Sequence, residues 1–171
     1  NFGKSGATLL ARGHRPYFQQ EEYHRALAFR PDIAVIHLGV NDTDPRNWPN
    51  YRDEFIPDYR HLIDTLRSIS PRVRILIART TPIGVEHPRF ESGTRDWQLQ
   101  IQQAIEQVAE TAGVELIDFH SPLYPFPHYF PDAVHPTAPG TRILAETAYR
   151  AISGNYGGLQ LPSIYSDGMV F

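Results

Sequence analysis

The sequence contains no cysteine, which excludes a disulfide framework, thiolate metal sites and a cysteine nucleophile. The cellular compartment stays open. It also has no block of one charge: sixteen Lys and Arg against nineteen Asp and Glu give a formal charge of −3 over 171 residues. A nucleic-acid partner would call for a basic patch or stripe, and none is present. No apolar run approaches the ~20 residues of a membrane-spanning helix, and Asn1-Phe2-Gly3-Lys4 does not have the charged-then-apolar order of a signal peptide. Repeats and low-complexity tracts are missing too. What remains is one domain's length, enough for a substantial core, with 12 glycines and 15 prolines that suit long loops.

The apolar pattern then gives the order of elements. Asn1 to Leu10, with two glycines and two hydroxyl residues between Gly3 and Thr8, reads as a tight loop. Gln19 to Phe29 reads as an amphipathic helix with Tyr23 and Leu27 on one face, ending before Pro31. Ile33 to Leu38 is a short, almost unbroken apolar run, the composition of a strand covered on both faces. Val73 to Ala78 and Val114 to Phe119 repeat that type. Between these runs, Phe55, Tyr59, Leu62, Ile63 and Leu66 mark one helix, and Trp97, Ile101, Ala104, Ile105, Val108 and Ala112 mark a second that Gly113 ends. Pro57 falls in the first turn of the former or kinks it. A last helix runs from about Ala138 to Ile152. Strands alternating with long helices predict an α/β fold, with a parallel sheet between helical layers.

Ligand sites in such sheets lie beyond the carboxyl ends of the strands. The loops expected there hold Gly39-Val40-Asn41-Asp42, Arg79 to Gly84, and His120 to Phe130 followed by Asp132 and His135. Asp132 and His135 stand three residues apart, a spacing at which a carboxylate can orient an imidazole that takes and returns a proton. Alone, Asp-x-x-His is a common turn or cap pattern. Three separate segments meeting on one rim give it more weight. Asn41 can donate its NH₂ to an oxyanion, or simply tolerate a turn; Gly6 can offer a backbone N–H with close substrate approach, or be a plain turn residue. Asp42 reads as a cap for the segment after it. His37, inside an apolar strand, reads as a satisfied core histidine. His14, His24, His61, His87, His120 and His128 show no paired metal spacing, so no metal is assigned. Trp48 and the cluster Tyr124, Phe126, Tyr129 and Phe130 read as packing, with stacking on a sugar or acyl group as the other use of such rings.

Asn1-Phe2-Gly3-Lys4-Ser5-Gly6-Ala7-Thr8 resembles the second sequence block of the SGNH (GDSL-type) hydrolases, Gly39-Val40-Asn41-Asp42 the third, and Asp132-Ala133-Val134-His135-Pro136 the fifth. Order and separation match, and the resemblance extends through Ile152. It implies a flavodoxin-like three-layer α/β/α sandwich with a five-stranded parallel sheet. It also implies an esterase in which His135 is the general base, Asp132 orients it, and Gly6 with Asn41 forms the oxyanion hole. No cofactor is implied.

One departure matters. The family's nucleophilic serine belongs to a Gly-Asp-Ser block on its first strand, and no Gly-Asp-Ser occurs here. Ser5 falls in the oxyanion loop by this resemblance and is not assigned as nucleophile. The expectation is therefore a hydrolase domain over 1–153 that is incomplete at its N-terminus, inactive alone, with one edge of the Ile33–Leu38 strand open and part of its face uncovered until an upstream segment supplies serine and strands. After a Gly/Asn/Tyr-rich linker from 154, Leu161 to Phe171 resembles the start of a sialate O-acetylesterase-type module. The substrate expected is an O-acetylated carbohydrate or small-molecule ester, with a lipase, lysophospholipase or thioesterase on the same scaffold, or a non-catalytic carbohydrate-binding module, as rivals. Secretion or periplasmic placement rests on the family parallel alone.

Overall fold

The computed structural model describes residues 1–84 and 94–154. Among the described residues, three parallel strands, β1 (Ile33–Ile36), β2 (Arg74–Arg79) and β3 (Glu115–Asp118), lie in the order β1-β2-β3. Five α-helices among the described residues accompany them: α1 (Glu21–Phe29), α2 (Trp48–Tyr51), α3 (Phe55–Ile69), α4 (Thr94–Ala112) and α5 (Ala138–Ser153). Sequential strands pair through helical crossovers, the arrangement that parallel pairing requires. Pro57 lies in the first turn of α3, where its missing N–H leaves no helical bond unmade. Among the described residues, no helix is long and apolar enough to cross a membrane.

The alternation of side chains along β2 divides the core in two. Ile75 and Ile77, with Ile36 of β1, join Tyr23 of α1, Phe55, Tyr59, Ile63 and Leu66 of α3, and Ile101, Ile105 and Val108 of α4. Leu76 and Ala78, with Ile117 of β3, join Leu144 and Ala148 of α5 and the loop residues Leu123 and Phe130. The sheet thus has a helical layer on each side. Arg74 holds α5 in place: its guanidinium donates to the carbonyls of Ile152 at 2.6 Å and Ala151 at 2.9 Å while pairing with Glu115 at 2.6 Å. A cation at the carboxyl end of a helix also complements the helix dipole.

The first strand is covered fully on one face only. Val35 pairs beside Leu76 and Ile33 beside Arg74, so both project to the α5 side, but α5 packs over β2 and β3. Ile33 is 44% exposed and Val35 38%. The composition of the run suits burial on both faces, but the strand has the open edge and partly uncovered face expected of it, its outer edge pairing with no other strand among the described residues. The strands are also shorter than their apolar runs at β1, where the chain turns after Ile36 towards Gly39 at φ +121°. Helix α1 ends at Arg30, a non-glycine residue at φ 53°, so the chain turns just before Pro31 as predicted, although without a glycine. The helix α2 was not foreseen. The proposed linker and the Leu161–Phe171 resemblance lie outside the described residues, save Gly154, whose φ of 68° ends α5.

Candidate active site

Residues after β3 close into a short loop that presents the acid–base pair. The Thr137 N–H donates to the Tyr129 carbonyl at 2.7 Å and the Ala133 N–H to the Phe130 carbonyl at 2.9 Å, which folds Phe130 to Pro136 back on itself. At Gly140, in the first turn of α5, a Cβ would stand 2.9 Å from Pro136 Cβ and 3.3 Å from Tyr129 Cβ. Only a residue without a side chain lets the helix start that close to the loop.

Within this loop, Asp132 Oδ1 accepts the backbone N–H of Val134 at 3.0 Å and of His135 at 2.7 Å, and Oδ2 lies 2.6 Å from His135 Nδ1. These donors, led by the His135 backbone amide, hold the Asp132 carboxyl well below the usual carboxylate range. An ionised carboxylate can only accept, so Nδ1 donates, which in the neutral imidazole leaves the lone pair on Nε2. Both side chains stay open to an incoming group, at 72% exposure for His135 and 54% for Asp132. Ala133, between them, sits at φ 67°. Left-handed backbone at a non-glycine residue costs of order 1 kcal/mol or more and persists where surroundings enforce it. Here Gly84 does so, donating its N–H to the Ala133 carbonyl at 2.7 Å.

The loop after β1 builds a second part of the rim. Asn41 begins a single turn of 3-10 helix, and its Nδ2 donates to the Ala7 carbonyl at 2.9 Å. One N–H of that carboxamide is thereby used, and the other has no acceptor among the described residues. Gly6 lies one residue before this contact at φ +74°. Asn47, fully buried, donates to the Asn41 carbonyl at 2.9 Å and accepts the His14 N–H at 2.9 Å. Asp42 is also fully buried and accepts the amides of Leu9 and Leu10. It is no helix cap.

Contacts between the loops join these parts. A Cβ on Gly39 would stand 3.2 Å from Thr80 Cγ2, the Thr81 N–H donates to His37 Nε2 at 3.4 Å, and Gly84 grips Ala133. His37 is the satisfied core histidine expected: its ring stands edge-on to Phe119, and burial pushes its pKa down to about 4, so it is neutral. Trp48 is core, with its indole N–H on Gln100, and Phe130 is buried. Tyr124 lies exposed and stacked on His120, while Phe126 stacks on Tyr129. Among the described residues, no group of three His, Asp or Glu is placed to hold a metal ion.

The chain matches the GDSL-like lipase/acylhydrolase family over residues 1–143 and belongs to it. A curated relative, an acetylxylan esterase of Xylanibacter ruminicola, is 31% identical over 168 residues; the match covers 89% of this chain and 35% of that protein. The chain therefore spans about a third of the curated relative's length. Among solved structures, a catalytic mutant of Axe2, an acetylxylan esterase from Geobacillus stearothermophilus, superposes with a TM-score of 0.66 at 19% identity, covering 91% of this chain and 72% of its own. The acetyl xylan esterase AlAXEase superposes with a TM-score of 0.66 at 19% identity, covering 88% and 78%. These likenesses establish the α/β fold of SGNH hydrolases.

Proposed function

We propose that this chain carries the acid–base and oxyanion-binding parts of a serine-dependent esterase that removes O-acetyl groups from carbohydrate. The observation that carries the reading is the Asp132–His135 pair, in which Nδ1 is committed to the carboxylate and Nε2 is left as an exposed proton acceptor. A serine hydroxyl attacks the ester carbonyl while His135 Nε2 takes its proton. The oxyanion that forms is met by the Gly6 N–H and the free N–H of Asn41 Nδ2. Collapse expels the sugar oxygen, which takes the proton back from His135 and leaves an acetyl-serine. Water, deprotonated by His135, then attacks the acetyl group; the serine oxygen leaves and takes that proton from His135, which releases acetate and restores the free serine and the neutral imidazole. The imidazolium in both halves is stabilised by Asp132.

In this proposal the serine belongs to a segment that precedes Asn1 and pairs with the free edge of β1, covering Ile33 and Val35. Residues 1–153 then form the greater part of the hydrolase domain, and 154–171 a linker and the start of a second, sialate O-acetylesterase-type module. The acetylxylan esterase activity named for the relatives supports an acetylated carbohydrate as substrate. The test is acetate release from an acetylated xylo-oligosaccharide by the full-length protein. His135→Ala is expected to lower turnover by several orders of magnitude and Asn41→Ala by about 10²–10³. Near-parental turnover in the His135 variant would contradict the reading, and an unchanged rate in the Asn41 variant would return that residue to a turn role.

A further inference from the structure

Asn41 and Asp42 are neighbours on one helical turn, but they meet the N-terminal loop differently. Asn41 donates to the Ala7 carbonyl at 2.9 Å. The two carboxylate oxygens of Asp42 divide between two successive amides, Leu9 N–H to Oδ2 at 2.9 Å and Leu10 N–H to Oδ1 at 2.8 Å. Three hydrogen bonds therefore fix Ala7 to Leu10 against one turn, immediately after Gly6. A further bond, from the Ala7 N–H to the Lys4 carbonyl at 3.1 Å, closes the loop around Gly6 itself.

The use of a carboxylate here is costly. Burial pushes the Asp42 carboxyl up to about 6, and the nearby Asp58 carboxylate adds to that rise. A plain turn could be held by a neutral hydroxyl or amide, which escapes that cost. Only an ionised carboxylate presents two equivalent acceptors to two adjacent N–H donors. The feature thus fits a demand for geometry better than a demand for stability.

We propose that Asp42 is a positioning residue of the oxyanion site: by fastening the Leu9 and Leu10 amides, it sets the separation and orientation of the Gly6 amide relative to the Asn41 carboxamide without touching substrate. This inference rests on the esterase reading. An oxyanion donor works only when its N–H meets the tetrahedral oxygen, and a misplacement of about 1 Å can cost about 10² in rate. Ground-state binding of the ester makes no such demand.

The experiment measures kcat and KM for p-nitrophenyl acetate with the full-length protein. Asp42→Asn keeps the size but turns an NH₂ towards one of the two amides, and Asp42→Ser offers a single acceptor. Both are expected to lower kcat about 10- to 100-fold, with KM within about twofold and the melting temperature within about 5 °C of the parent. Asp58→Asn, which loosens the Ala11 N–H held at 2.8 Å farther along the same segment, is expected to keep kcat within about twofold. An unchanged kcat in the Asp42 variants, a rise in KM alone, or an equal fall in the Asp58 variant overturns the proposal. Failure of both Asp42 variants to fold assigns the residue to stability and overturns it as well. If His135→Ala is as active as the parent, the esterase reading itself fails and this inference goes with it; if His135→Ala is inactive while Asp42→Asn is not, this inference alone fails.

Discussion

Asp42 shows how little a residue's local sequence says about its work. In Gly39-Val40-Asn41-Asp42 it reads as a cap, because acidic residues after a turn commonly are. Its true partners, Leu9 and Leu10, lie 33 and 32 residues away, and nothing in the local pattern announces a buried carboxylate. Its ionisation has a measurable consequence. The folded state raises this carboxyl from 3.8 to about 6, so the folded chain binds the proton more tightly than the unfolded one. Stability therefore falls as pH rises from about 4 to about 6, and the ionised form carries a penalty of about 3 kcal/mol above that range. Asp42→Asn removes this slope. Urea unfolding of parent and variant at pH 4 and pH 7 should show their stability difference moving by about 2 kcal/mol in the variant's favour at the higher pH. Parallel profiles would show that Asp42 titrates at an ordinary value. Asp132, in contrast, was legible: its backbone amide donors and its imidazole partner all lie within three residues, a distance over which sequence spacing fixes geometry.

At the scale of elements, the alternation of apolar runs with helical periods was readable because each helix buries a single stripe. The periodic residues Phe55, Tyr59, Leu62, Ile63 and Leu66 are all buried on α3. The four-residue α2 was not readable, since Trp48-Pro49-Asn50-Tyr51 is too short to show any period. The pairing of loops was hidden too. Gly84 reads only as the end of a rim loop after β2, but it grips the acid–base turn through Ala133, and a Cβ there would lie 2.6 Å from Ala133 Cβ and 3.1 Å from its Cα. Neither atom is at the end of a flexible side chain, so the turn itself must move. Gly84→Ala is expected to cost about 1–3 kcal/mol of stability and to lower kcat about tenfold or more by displacing His135. Steady-state kinetics beside thermal unfolding checks both. Parental turnover with a parental melting temperature would mean that the turn holds its geometry without Gly84.

At the scale of the whole molecule, the sheet is covered on the α3–α4 side and only partly on the other. The exposed Ile33 and Val35, beside an unpaired β1 edge among the described residues, are what an unpartnered strand presents to another chain or to another segment of its own. Composition could not distinguish this strand from a fully buried one, because an apolar run shows what residues suit burial and not which element covers them. In the function proposed above, a strand that brings a serine to His135 pairs with this edge. A fluorophosphonate probe tests this most directly, since it bonds only to an activated serine, and peptide mass spectrometry locates the adduct. In the full-length protein the label is predicted on a serine N-terminal to Asn1, lost in His135→Ala, and absent from the 171-residue chain alone. Labelling of Ser5 or any other serine within this chain, or a full-length protein that takes up no label, would contradict it.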